Sequence, residues 1–359
     1  MELFSIMMYD SLPLPLRIAA AMLVSFLCAA FVTPSVASLA RRIKAIDLPG
    51  EERRVNERAV PRLGGVAILL GFFASALVFL PPRAALGGVM RAALLIALMG
   101  FLDDCFSLRS PLKLAVQLLA AVLAWRAGAR IEILTVPWGE ARYVPLGALS
   151  LPLTVLWLVT CTNAMNLIDG LDGLAAGVAV IGSLTMLFVA AAVSEGEIAV
   201  LLAALTGGCL GFLPYNRSPA RIFMGDVGSQ TLGFLLGAAA MVGLFKAHAL
   251  VTFLVPPAAL ALPLGDTAFA FIRRALRRQN PLRADRGHIH HILLDSGMGQ
   301  RKAVGLLYGV SALSGLLAVA LSETGDTARA AAALTMTCAG GAACRLIRRR
   351  IVRRRRRAS

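Results

Sequence analysis

The sequence predicts an all-α polytopic integral membrane protein of about eleven transmembrane helices, or ten if its shortest apolar run is not a span, with a small extracytoplasmic β-hairpin. Three observations carry this expectation. Of 359 residues, 58% are hydrophobic and 16% charged, and the mean hydropathy of +0.76 exceeds what a water-exposed surface tolerates. Apolar runs approaching the roughly 20 residues needed to cross hydrocarbon as a helix recur along the chain. Lys and Arg, finally, collect on one side of those runs.

The runs fall at 18–40, 64–81, 84–102, 111–126, 149–168, 172–193, 197–213, 228–246, 249–272, 303–321 and 328–346. The fourth is the shortest and ends at Trp125 and Arg126. Glu2 and Asp10 stand where a cleavable signal would need positive charge, so the first run reads as a span. Between the fourth and fifth runs, Ile131, Ile133, Leu134, Val136, Trp138, Tyr143 and Val144 alternate around Gly139, which predicts the hairpin. The six cysteines form no CxxC pair and suggest neither a disulfide framework nor a zinc site.

With the amino terminus outside, 28 of the 36 basic residues lie in 41–62, 103–113, 215–226, 273–302 and the tail from Arg345. The positive-inside rule places all five in the cytoplasm. The formal charge of +16 is thus accounted for by orientation and by anionic membrane lipids, and no nucleic-acid partner is expected. Residues 1–347 read as one transmembrane domain with cytoplasmic loops at 41–65, 100–111, 163–173, 214–233 and 273–302, followed by a basic cytoplasmic tail at 348–359.

Those loops hold polar residues that orientation does not require. Asp103 and Asp104 end the third run; an acidic pair there suits Mg²⁺ or a phosphate oxygen, and a solvated helix end accounts for it equally well. Asn163, Asn166, Asp169 and Asp172 recur every third residue, with Gly170 and Gly173 between them, and read as a strip of hard oxygen donors on a helical surface. Asp226 stands between Gly225 and Gly228 at the start of the eighth run, where free helix N–H groups favour phosphate. Asn216 precedes it in the same loop. His288, His290 and His291 follow Arg286 in a basic loop whose charge opposes zinc and favours a diphosphate or sugar. The arginines before Pro61 suit phosphate or simple orientation. Asp266, inside the ninth run, either pairs with a neighbouring helix or serves the site.

In this order, the Asp47-Leu-Pro segment through Pro61-Arg-Leu-Gly-Gly, the Asp-Asp pair, the Asn163 to Leu174 segment, Phe223-Met-Gly-Asp-Val-Gly-Ser and His288-Ile-His-His resemble the polyprenyl-phosphate N-acetylhexosamine-1-phosphate transferases, the superfamily of WecA, TagO and MraY. The resemblance implies transfer of a sugar-1-phosphate from a UDP-N-acetyl sugar to polyprenyl (undecaprenyl) phosphate with Mg²⁺, or Mn²⁺ in its place, and release of UMP. It implies Asp103 and Asp104 as the catalytic pair, with Asp103 the base or orienter and Asp104 its support. Asp226 and Asn166 would hold the metal. Asp172 and Asn216 would contact uracil and ribose, Asp169 would organise that pocket, and Arg286, His288, His290 and His291 would contact the sugar-phosphate. Asn56 departs from the family, many of whose members have His there. The interrupted His-Ile-His-His favours the WecA/TagO branch and UDP-GlcNAc; phospho-MurNAc-pentapeptide transfer is the alternative. The implied setting is the bacterial inner membrane, with the active site facing the cytoplasm and a homodimer as an open assembly. A transporter would instead place charges near the midplane.

Overall fold

The computed structural model describes residues 12–47, 59–81, 83–136, 142–243, 255–276 and 288–324. Arg286, Asn56, the run at 328–346 and the basic tail lie outside them. The described chain is mostly helical. Its helices are α1 Leu14–Arg42, α2 Gly64–Phe79, α3 Ala84–Phe106, α4 Ser110–Arg126, α5 Ser150–Ile168, α6 Leu174–Ala192, α7 Gly196–Asn216, α8 Gly225–Gly243, α9 Ala261–Leu276, α10 Ile289–Asp295 and α11 Gln300–Thr324. Six stretches among the described residues are long and apolar enough to cross a membrane: Leu14–Arg42, Ala84–Phe106, Gly147–Ile168, Leu174–Ala192, Gly196–Asn216 and Gln300–Ala320. Helices α2 and α4, of 16 and 17 residues, are shorter than that measure.

Local chemistry explains several boundaries. Helix α1 starts after Pro13, carries a second proline in its first turn and ends on Arg41 and Arg42, whose charge suits both a helix carboxyl end and a membrane interface. Helix α3 stops at Ser107, whose φ of 52° is left-handed. The chain then reverses into α4, which has a proline in its first turn.

Two small antiparallel hairpins punctuate the bundle. Strands β1 Ile46–Asp47 and β2 Val60–Pro61 pair across the first loop. Strands β3 Ile133–Val136 and β4 Arg142–Pro145 pair with Ile133 opposite Pro145 and Val136 opposite Arg142, flanking Gly139.

Helix α8 is buried along nearly its whole length and packs on α2, α3 and α5. Without a hydrophobic force between helices in lipid, such packing relies on small residues that let backbones approach. A Cβ on Gly65 of α2 would collide with the Cα and N of Gly228 on α8, and one on Gly100 of α3 would meet the backbone of Val227. These contacts draw the first turn of α8 against the ends of both helices. Gly65→Ala is expected to lower stability by about 1–3 kcal/mol through overpacking, read as a lower midpoint in a thermal melt of the detergent-solubilised protein. An unchanged midpoint would show that the α2/α8 contact yields freely.

Candidate active site

Backbone pairing first joins segments far apart in sequence. Phe223 N–H donates to Pro61 O at 2.8 Å, and Gly64 and Gly65 N–H donate to Phe223 O and Met224 O, each at 2.8 Å. The Pro-Arg-Leu-Gly-Gly segment is thereby stitched to the segment that opens α8, and Arg62 comes to 3.3 Å from Asp104 Oδ1.

Asp104 is fully enclosed, with 0% of its side chain exposed. Its Oδ1 accepts from Asp226 N–H at 3.0 Å and its Oδ2 from Val227 N–H at 3.1 Å. Helix starts leave such N–H groups without intrahelical partners, and here a carboxylate from another helix caps two of them. The expectation of free N–H groups for phosphate at this helix start is corrected for those two donors. Gly225, at φ 74°, fits directly against this carboxylate, where a Cβ would strike it.

Asp103 and Asp226 then face a common cation. Lys113 Nζ donates to Asp103 Oδ2 at 2.8 Å and to Asp226 Oδ2 at 3.0 Å. Asp103 Oδ1 also accepts from Leu108 N–H at 2.7 Å, so the same carboxylate holds the turn that folds α4 back over α3. Asp226 Oδ1 accepts from Asn166 Nδ2 at 3.1 Å, and its Oδ2 from Gln230 Nε2 at 2.7 Å. Behind them, Gln117 Nε2 donates to Gln230 Oε1 at 2.8 Å and Asn163 Nδ2 to Gln117 Oε1 at 2.8 Å, a polar ladder buried among apolar helices.

The expected strip from Asn163 to Asp172 is not one helical surface. Helix α5 ends at Ile168, and the chain turns through Gly173, at φ 79°, into α6. Asn163 and Asn166 therefore reach α4 and α8. Asp172 Oδ2 instead accepts from Ala220 N–H at 3.0 Å, and Asn216 bridges Gly173 N–H at 3.1 Å to Ile222 O at 3.0 Å. Both hold the two loops together.

The histidines divide as well. His288 Nδ1 lies 2.9 Å from Asp266 Oδ2, so Asp266 pairs with the histidine segment. His290 is buried, neither ring nitrogen has a hydrogen-bond partner, and its ring rests on Gly170, where a Cβ would strike it. His291 is half-buried beside it, with ring centroids 4.3 Å apart. Arg286, expected to join them, lies outside the described residues.

Known proteins resemble this chain along most of its length. Residues 86–244 match glycosyl transferase family 4. The chain is 38% identical over 313 residues, 86% of each chain, to a Bacillus subtilis protein named as a probable undecaprenyl-phosphate N-acetylglucosaminyl 1-phosphate transferase. It is 35% identical over 307 residues to the decaprenyl-phosphate N-acetylglucosaminephosphotransferase of Mycolicibacterium smegmatis, covering 77% of this chain and 75% of that one. It is also 35% identical over 277 residues to the phospho-N-acetylmuramoyl-pentapeptide-transferase of Moorella thermoacetica, covering 69% and 83%. The chain belongs to glycosyl transferase family 4, within the polyprenyl-phosphate N-acetylhexosamine-1-phosphate transferase superfamily. It is a multi-pass membrane protein.

Within this family 4 member, sequence reasoning had passed over Lys113, Arg62 as a partner of Asp104, Gln117 and Gln230. A usable signal was present for three of them. Lys113 and Gln117 are four apart on α4, Gln230 is four from Asp226 on α8, and each interrupts an apolar helix. Asp172 also lines a cavity of about 1190 Å³ between the Asp172–Gly173 turn, the end of α7 with the loop that follows it, and α11, with Arg217, Arg221, Arg301 and Tyr308 around it.

Asp169 and His290, outside the spans, have displaced proton affinities. Asp169 as a residue is half-buried, but burial of its carboxyl, with the charges of Asp226 and Asp104 adding, pushes it up to about 7. Burial, reinforced by His291, holds His290 down to about 4. Between its ordinary value of 6.5 and about 4, the unfolded chain binds the His290 proton more readily, so this residue makes stability rise with pH across that window. Asp169 acts oppositely: the folded chain keeps its proton from 3.8 up to about 7, and that contribution falls as pH rises. In a ¹⁵N spectrum of histidine-labelled protein, the His290 ring is expected to stay neutral at pH 5.5; an ordinary midpoint near 6.5 would contradict its burial.

Proposed function

We propose that this protein transfers N-acetylglucosamine-1-phosphate from UDP-GlcNAc to undecaprenyl phosphate, the first membrane step of a cell-envelope glycan pathway. An oxygen of the lipid phosphate attacks the sugar-bearing phosphorus of the donor. The bond from that phosphorus to the bridging oxygen breaks, and UMP leaves with that oxygen. The observation that carries the reading is the Asp103, Lys113 and Asp226 cluster, set where four separated motifs meet at one end of an apolar bundle. The two relatives that carry the N-acetylglucosamine name support the choice of sugar.

Two anionic reactants must meet at this site, so charge neutralisation and alignment are the main work. Lys113 places a fixed ammonium between the two carboxylates, next to where phosphate charge would gather. Asp103 orients the lipid phosphate or takes its proton. Asp104 acts indirectly, by capping α8 and thereby aiming Asp226. The donor set fits Mg²⁺, which favours one or two carboxylates completed by substrate phosphates. Among the described residues no group of three or more His, Cys, Asp or Glu side chains is placed to cage a metal. Asp226 and Asn166, whose amide oxygen is the atom its hydrogen bonds leave over, would hold the ion. When bound, it would neutralise the diphosphate and polarise the reacting phosphorus. The nucleotide is assigned to the arginine-rimmed cavity against Asp172, with Asn216 bracing Gly173 behind its wall and Asp169 organising the turn beside it. His290 and His291 are the residues of the described histidine segment assigned to the sugar-phosphate; Arg286, which the resemblance adds to them, lies outside the described residues.

In this reading about eleven helices span the bacterial inner membrane, the site faces the cytoplasm and the β3/β4 hairpin lies outside. The Moorella relative favours a second donor, UDP-MurNAc-pentapeptide. Purified protein with undecaprenyl phosphate, Mg²⁺ and a panel of UDP-N-acetyl sugars separates them: UMP release with UDP-GlcNAc supports the first reading and release with the pentapeptide donor alone the second. No release with any of them would overturn both.

A further inference from the structure

Asp266 sits in α9 with only 1% of its side chain exposed, a depth at which a carboxylate requires partners. It has two, both from the histidine segment. Oδ1 accepts the Ile289 N–H at 2.9 Å, which satisfies one of the donors that the first turn of α10 leaves over. Oδ2 lies 2.9 Å from His288 Nδ1. A carboxylate oxygen accepts, so the ring carries its proton on Nδ1 and turns Nε2 away from Asp266. The His288 ring is in turn parallel to that of His290, with 6° between planes and centroids 5.8 Å apart, and His290 rests on Gly170 between Asp169 and Asp172. A continuous stack therefore runs from the α9 carboxylate to the turn that carries two acidic site residues.

We propose that Asp266 is a positioning residue for the transfer reaction: it fixes the His288 tautomer and ring plane and so holds the histidine segment against the Asp169–Asp172 turn. The inference rests on the functional reading above. Carboxylates that orient a functional histidine through its second nitrogen act in this way at metal sites, where their loss costs roughly 10- to 100-fold in activity.

The test uses the full-length protein in nanodiscs with ¹⁵N-labelled histidine; the chain has four, and His288→Asn identifies the His288 signals by their loss. In the wild type, His288 Nδ1 is expected as a protonated, hydrogen-bonded nitrogen. In Asp266→Asn, whose amide oxygen still accepts from Ile289, that signature shifts and UMP release falls about 10- to 100-fold. Unchanged turnover overturns the proposal even if the spectrum shifts, and lost turnover with an unshifted His288 signal overturns it as well. Should Asp266→Asn fail to fold, His288→Asn decides. Its side-chain N–H can replace Nδ1–H toward Asp266, so the fold is kept while turnover drops by a similar factor, and full turnover rejects the idea. The spectrum needs no reaction, so a wild type inactive on every donor would sink the functional reading while the tautomer is still read directly.

Discussion

Lys113→Met is expected to lower both stability and turnover, because it removes a cation that Asp103 and Asp226 share at 2.8 and 3.0 Å. Breaking a buried ion pair by deleting one partner costs about 3–5 kcal/mol, and the low end applies because the Lys113 side chain keeps 25% exposure. Loss of a preorganised positive group beside reacting phosphates should reduce kcat by roughly 10²- to 10³-fold. Lys113→Arg keeps the charge, but its planar fork does not reproduce a point charge between two carboxylates, so it should recover stability more fully than turnover. Thermal melts and UMP release measured on the same preparations check both parts. A wild-type midpoint and rate in the Lys113→Met protein would remove Lys113 from the site.

Asp226→Asn is the second large effect, and it should separate chemistry from folding. The start of α8 stays capped, since Asp104 binds the backbone N–H of residues 226 and 227 rather than the Asp226 side chain. The side chain itself accepts from Lys113, Gln230 and Asn166. An amide there brings a donor against donors and loses the charge that would hold a divalent ion. Turnover should fall on the order of 10³-fold while the melting midpoint moves by only a few degrees. Raising Mg²⁺ should recover part of the loss if the ion is held more weakly. Full activity in the Asn variant would exclude the role proposed for Asp226.

Much of the site could be read from the chain because membrane helices make polar residues conspicuous. Asp103, Asp104, Asn166 and Asp226 stand out as polar groups at the ends of apolar runs, where each needs a reason to be. What could not be read was which of them touch. Asp104 looked like a partner of Asp103 because the two are adjacent, yet successive helix residues point in different directions, and Asp104 reaches a helix start 122 positions away. The three-residue recurrence from Asn163 to Asp172 suggested one face, but Gly170 and Gly173 open a turn that divides it. Asp266 allowed two readings until α9 and α10 were placed side by side.

The sequence by itself determined the solvent this protein lives in, the helical runs that span it and the chemical kind of its polar groups, because hydrophobicity and periodicity are local properties. Only the tertiary structure decided the partnerships: Lys113 between two carboxylates, Asp104 as the cap of α8, and Asp266 behind His288. Those depend on how closely helices approach. That distance is set by contacts such as Gly65 on Gly228 and Gly100 on Val227, in which two remote stretches of chain must meet before either glycine has a consequence.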